Sequence, residues 1–216
     1  MVCDQRFVLR MPSNLPLDAS APLLCAGITV YSPMRGHGLD KAGLRLGVLG
    51  LGGLGSMAVR FGKAFGCEVT VISTSPSKEA EARALGASKF LPSSDKEAMK
   101  AAAGSLDGII DTVAAKHDLG TYLNLLDVDG KLILVGVAPE MLDLHAFSVS
   151  ACPRYLSLSR WLLLLALTHA PSAPRPTVGG GKSVIGSLIG GLPETQEMLD
   201  FWRVACLHAF IWCALR

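Results

Sequence analysis

The residues best placed by type and spacing to do chemistry form the string Gly50-Leu51-Gly52-Gly53-Leu54-Gly55. A G-x-G-x-x-G spacing suits the pyrophosphate of a dinucleotide. Gly50 permits a tight turn, Gly52 lets backbone N–H groups approach the phosphates, and Gly55 allows close helix–strand packing. A helix starting at the last of these glycines adds partial positive charge where the phosphates would lie. A second group follows about 20 residues on, where NAD-binding sheets carry an acidic residue that bonds the ribose 2′-hydroxyl. Here that place reads Ser73-Thr74-Ser75-Pro76-Ser77-Lys78. Hydroxyls and a cation bind a 2′-phosphate and no carboxylate repels it, so the expected cofactor is NADP(H) rather than NAD. Two plainer readings stand beside these: a glycine-rich turn in an ordinary βαβ unit, and a Ser75-Pro76-Ser77 string that only caps the next helix.

The flanking text supplies the elements such a site needs. A short apolar strand, Leu46–Leu49, precedes the glycines, and Leu54, Met57, Ala58, Phe61 and Phe65 recur after them at helical spacing. The alternation in EVTVIS predicts a second strand over Glu68–Ser73, then a helix through SKEAEARAL that ends at Gly86. A third strand is expected at Lys89–Leu91, a helix at Asp95–Ala103 and a fourth strand at Ile109–Val113. A helix at Leu119–Leu126, a turn at Asp129-Gly130 and a strand at Lys131–Val137 complete the series. At least five strands with helices between them predict an α/β fold: a doubly wound parallel sheet with right-handed crossovers, the Rossmann arrangement. Upstream, Pro12 and Pro16 break an extended segment over 1–20 that has no core of its own. A helix capped by Asp18 or Ser20 is expected to start near Pro22, with Pro33 kinking or ending it. Downstream, 149–177 shows neither helical nor strand period, Gly179–Ile189 reads as strand, and Glu194–Phe201 as helix.

A chain of 216 residues holds one ordinary domain or somewhat more. A net charge of +2 without a basic cluster gives no electrostatic case for nucleic acid. The six cysteines contain no C-x-x-C pair, so neither a zinc knuckle nor a disulfide framework is legible. Free thiols in alternating strand–helix text fit a reducing, cytoplasmic compartment, and MVCDQRFVLRMP lacks a secretory apolar core. The greasy run Trp161–Leu167 is short of the ~20 residues that span a bilayer, so no membrane role is expected. The five histidines are scattered, and taken alone Cys25 reads as a buried apolar thiol. Asp107 and Asp111, at strand ends, are expected to bond local backbone.

The strings CAGITVYSPM, GLGGLG, VISTSPSKEAEARALGA, IIDTVAAKHDLGTYL and GKLILVGV together resemble plant cinnamyl alcohol dehydrogenases, members of the zinc-containing medium-chain alcohol dehydrogenases. The resemblance covers most of 1–148 and then 178–201. It implies the cofactor domain of a two-domain, cytosolic, homodimeric enzyme that reduces cinnamaldehydes to the aromatic alcohols of lignin formation. By position it implies Cys25 as the last of three protein ligands to a catalytic zinc, and Thr29 as a cofactor contact. Gly50, Leu51, Gly52, Gly53, Leu54 and Gly55 then match the pyrophosphate loop, and Ser73, Thr74, Ser75 and Lys78 the 2′-phosphate site. Thr112, Val135 and Gly136 match the nicotinamide side, and Ser187, Leu188 and Ile189 a segment touching cofactor and substrate.

The same resemblance places the other zinc ligands and the proton-relay hydroxyls upstream of residue 1. The zinc site is therefore expected to be incomplete, and no catalytic residue is assigned. The chain divides accordingly into a catalytic-domain remnant (1–20), an NADP-binding Rossmann domain (21–148) and its continuation (178–201). Between them 149–177 reads as an aberrant insertion, and 202–216 as a divergent tail. The competing functions are an NADPH-dependent alcohol dehydrogenase and a non-catalytic NADP(H)-binding fragment that pairs with full-length subunits. A methyltransferase and a membrane-surface protein fit the strings less well.

Overall fold

The computed structural model describes residues 2–150 and 180–208. Its centre is a six-stranded, all-parallel sheet in the order β3-β2-β1-β4-β5-β6. The strands are β1 (Arg45–Leu49), β2 (Glu68–Ser73), β3 (Lys89–Pro92), β4 (Leu106–Asp111), β5 (Leu126–Leu134) and β6 (Ser183–Gly186). The helices are α1 (Leu17–Ser20), α2 (Ala26–Gly36), α3 (Gly53–Ala64), α4 (Glu79–Leu85), α5 (Lys96–Ala101), α6 (Leu119–Leu123), α7 (Ala146–Ser150) and α8 (Leu192–His208). The chain winds outward from β1 to β3, then crosses back to place β4 on the other side of β1. That reversal opens a crevice at the carboxyl ends of β1 and β4, the place where such sheets bind ligands.

Strand alternation divides the core in two. Leu46, Val48, Val69, Val71, Ile110 and Ile133 face one buried cluster, with Met57, Ala58 and Phe61 of α3 and Met198, Leu199 and Trp202 of α8. Leu49, Ile72, Ile109 and Leu132 face the other, with Met99 of α5 and Leu119 and Leu123 of α6. Apolar runs buried on both faces are what a parallel sheet covered by helices requires. Arg45 locks the opposite end of the sheet, bonding Asp107 and reaching Asp127 at 3.0 Å.

Several expected boundaries move, each for a local reason. The helix expected from Pro22 begins at Ala26, because Ala21–Leu24 is a 3-10 turn and Cys25 has φ −126° and ψ −75°. Ser20 does not cap it, since the hydroxyl donates to the Pro16 carbonyl at 2.6 Å. Pro33 does not end it, and the helix runs on to Gly36. The fourth strand spans Leu106–Asp111, so Thr112 and Val113 lie just beyond it. The turn at Asp129-Gly130 falls inside β5, as an irregularity: pairing steps from Leu106↔Leu126 to Gly108↔Lys131, and Asp129 takes φ +57°. The segment 1–20 does have a core to join. Leu15 is buried in the first cluster, Leu9 and Met11 pack against it, and Arg10 exchanges backbone bonds with the Gln196 amide on α8. The last helix extends past the expected Phe201 to His208, and Trp202 seats against Phe61 with ring centroids 4.8 Å apart. Of the block 149–177, residues 151–177 lie outside the described residues, as do 209–216 of the tail. Among the described residues no helix is long and apolar enough to cross a membrane.

Candidate functional site: a dinucleotide crevice

The glycine turn forms where β1 ends. Gly50 takes φ +87°, open to glycine at little cost, and its N–H donates to the Ile72 carbonyl of β2 at 2.9 Å. A side chain at Gly55 would run into the Gly50 carbonyl oxygen, so α3 approaches the turn only because that position is bare. Gly52 and Gly53 have open space where a Cβ would stand, and both are exposed. The turn is therefore closed on its protein side and open on the other, with the N-terminus of the twelve-residue α3 behind it. Leu51 points inward and is buried, while Leu54 is half-buried against the first cluster.

The other predicted residues arrive at the same edge of the sheet. Ser73 ends β2, and its hydroxyl accepts the Ser75 N–H at 3.3 Å. Thr74 and Ser75 are exposed, and Ser75 makes no capping bond to the turn that follows it. The Lys78 ammonium reaches back across this group and donates to the Leu51 carbonyl at 2.6 Å. It thus joins the end of β2 to the glycine turn. Thr112 packs against Gly50, and both its N–H and its hydroxyl donate to the Leu49 carbonyl, at 3.0 and 2.8 Å. Val135 and Gly136 follow β5 and donate to the Asp111 carbonyl at 2.9 and 3.0 Å. Gly136 lies so close to the Val113 backbone that no Cβ fits.

Ser187 continues β6, its N–H donating to Leu134 at 3.0 Å, while Leu188 and Ile189 are exposed and Ile189 takes φ +55°. Gly190 then rests on Ile28 and Ser32, which brings this segment against α2. Thr29 on α2 is buried, and its hydroxyl turns back to the Cys25 carbonyl at 2.7 Å. Cys25 itself is exposed at the head of α2, not buried as an apolar thiol would be.

A match to the family model described as "Zinc-binding dehydrogenase" spans residues 53–161, covering α3 through β5 and the crevice residues from Gly53 to Gly136. The chain belongs to the zinc-binding dehydrogenase family. The match reaches past residue 149, into the block read as an insertion. A mannitol dehydrogenase of Petroselinum crispum is 54% identical over 202 residues, covering 93% of this chain and 52% of that protein. A cinnamyl alcohol dehydrogenase from Sorghum bicolor superimposes with a TM-score of 0.78 at 46% identity, covering 94% of this chain and 50% of that one. A second such structure, the Helicobacter pylori enzyme complexed with NADP(H), gives 0.70 at 37% identity over 92% of this chain and 48% of that one. The chain spans about half the length of the relatives it matches.

Two groups are in question at this site, a dinucleotide and a zinc ion, and the residues present fit only one. For a dinucleotide they fit: a bare-walled turn, a helix N-terminus, exposed hydroxyls and a cation lie along one edge. For zinc they do not. Catalytic zinc takes three protein ligands, and among the described residues no three His, Cys, Asp or Glu side chains come together.

One juxtaposition was not legible from the sequence. Asp111, buried at the end of β4, bonds the Val113 N–H as expected, and also the imidazole of His117 at 2.7 Å. The signal was an Asp–x5–His spacing across a strand end, which local pattern reading does not register.

Proposed function

We propose that the chain is the NADP(H)-binding half of a cytoplasmic alcohol dehydrogenase that interconverts aromatic alcohols and aldehydes of the cinnamyl type. The observation that carries the cofactor choice is the end of β2, where Thr74 and Ser75 are exposed, Lys78 follows, and no carboxylate stands among residues 73–78. In this reading Gly50–Gly55 hold the pyrophosphate, and Ser73, Thr74, Ser75 and Lys78 hold the 2′-phosphate. Lys78 exchanges the Leu51 carbonyl for a phosphate oxygen, a charge-assisted bond of greater strength. Thr112, Val135 and Gly136 wall the nicotinamide side, and Ser187–Ile189 with Thr29 close the crevice from β6 and α2. The bound dinucleotide supplies or takes up the hydride.

By the resemblance alone, Cys25 would be one of the three protein ligands of the family's zinc, and no zinc chemistry is assigned to the residues described. The names of the relatives differ in substrate, mannitol for one and cinnamyl alcohol for another, and the aromatic choice rests on the resemblance carried by the strings quoted above. A second reading, a non-catalytic unit that pairs with complete subunits, is favoured by β6. Its outer edge pairs with no strand among the described residues, which leaves backbone groups for a partner.

Calorimetric titration with 2′,5′-ADP and with 5′-ADP tests the cofactor assignment, and loss of NADPH absorbance with a cinnamaldehyde tests turnover. Tight binding of 2′,5′-ADP alone is the expected result, and equal binding of the two would remove the 2′-phosphate site. Turnover separates the dehydrogenase from the non-catalytic unit.

A further inference from the structure

The Asp111–His117 pair sits in the turn that walls the crevice, and its geometry fixes how many protons it holds. Asp111 is 1% exposed. One of its carboxyl oxygens accepts the Val113 N–H at 3.0 Å, and the other lies 2.7 Å from His117 Nε2. The opposite ring nitrogen, Nδ1, lies 2.8 Å from the Ala115 carbonyl. A carbonyl oxygen only accepts, so Nδ1 carries a hydrogen. A hydrogen must also lie between Nε2 and the carboxyl oxygen, on one atom or the other. Imidazolium with carboxylate satisfies this, and so does neutral imidazole with carboxylic acid. Both states hold one proton more than a carboxylate beside a neutral ring, in which either Nε2 would face the anionic oxygen bare or Nδ1 would face the Ala115 carbonyl bare.

We propose that Asp111 and His117 form a latch closed by this one shared proton, and that the latch holds the 112–117 turn as a wall of the dinucleotide crevice. His117 is then a positioning residue. It grips the turn at Ala115 and, through Asp111, at Val113. Val113 in turn supplies the backbone against which Gly136 packs.

The surroundings favour the extra proton. Burial raises the Asp111 carboxyl above the ordinary carboxylate range, opposed by the Val113 amide and by His117. The Asp118 carboxylate, the cap of α6, acts on His117 from the next residue. The Tyr122 ring of α6 stands edge-on to the imidazole at 5.7 Å, and Lys116 is exposed on the turn itself. A proton held in the closed latch is bound at low pH and lost as pH rises, so the turn should loosen towards alkaline pH.

The test is amide hydrogen exchange of Val113, whose N–H donates to Asp111, in the full chain, corrected for intrinsic rates, from about pH 6 to about pH 9. Core amides of β1 and β4 serve as the folding control. Wild-type protection should be high at the acid end and fall as pH rises. His117→Ala should lower it about tenfold at the acid end, the loss of one charge-assisted bond. Asp111→Asn should keep protection and flatten the pH profile. Its amide oxygen still accepts from Val113, and its NH₂ donates to a neutral ring at Nε2.

An H117A variant as protected as wild type, a D111N variant as loose as H117A, or a wild-type profile without pH dependence would each overturn the latch. NADPH titrations of the same proteins should follow the exchange, with H117A about tenfold weaker at the acid end and D111N rescued towards wild type. This arm rests on the NADP(H) reading. Failure of the wild type to bind would defeat that reading alone, and the exchange would still decide the latch.

Discussion

Side chains at the crevice act by what they leave open as much as by what they touch. Gly55 is bare because the Gly50 carbonyl occupies the space a methyl would need. Gly55→Ala should push α3 away from the turn, destabilise the fold by about 1–3 kcal/mol and abolish dinucleotide binding. Urea unfolding and an NADPH titration on one sample would show both effects. Lys78 presents the complementary case, a cation already seated beside the glycine turn on the Leu51 carbonyl. Lys78→Ala should weaken NADPH binding about tenfold to a hundredfold, the worth of a hydrogen bond to a charged group, and leave NADH binding unchanged. Equal losses for the two cofactors would move Lys78 from the 2′-phosphate to the pyrophosphate. The glycines and the Ser73–Lys78 group were readable because their chemistry is local in sequence. The partners of Lys78 and Asp111 were not, since they are set by how strands and turns meet in space.

The elements that carry the crevice are held chiefly by α2, α3 and α8, which meet through Tyr31, Phe61, Phe65, Phe201 and Trp202. Trp202→Ala should cost about 3–5 kcal/mol, measured by urea unfolding, because the indole is buried against Phe61 in the first cluster. Tyr31 adds a pH-dependent contribution. Its hydroxyl donates to Glu197 on α8 at 2.9 Å, and burial, followed by that bond and the Glu197 charge, raises the phenol above its ordinary value. The neutral phenol therefore contributes stability that is complete below about pH 10 and lost as pH rises through the raised value. Tyr31→Phe should remove this alkaline loss from a plot of unfolding free energy against pH, while a wild-type curve flat above pH ~10 would count against it.

At this scale, strand and helix order was legible from period and glycine position, including every strand from β1 to β5. What sequence reading missed was tertiary in origin. The N-terminal segment reads as coreless because the cluster it joins and the Gln196 amide it bonds lie far along the chain. The extension of α8 is hidden in the sequence because the text after Phe201 shows no polar face, and the seating of Trp202 on Phe61 of α3 is set only in space. The Asp129 irregularity in β5 looked like a turn because Asp-Gly is turn chemistry wherever it falls.

Over its described residues the molecule is a six-stranded parallel sheet with both faces covered, with one family match over its centre and a chain length about half that of the relatives it resembles. Its crevice, glycine turn and β2 end make one coherent claim, that this chain takes up a dinucleotide bearing a 2′-phosphate. Titration of the purified chain with NADPH, following reduced-nicotinamide fluorescence and with NADH as the control, tests that claim most directly. Saturable binding of NADPH with NADH at least about tenfold weaker is the expected result. Equal affinity for the two cofactors, or no saturable binding by a chain shown to be folded, would contradict it.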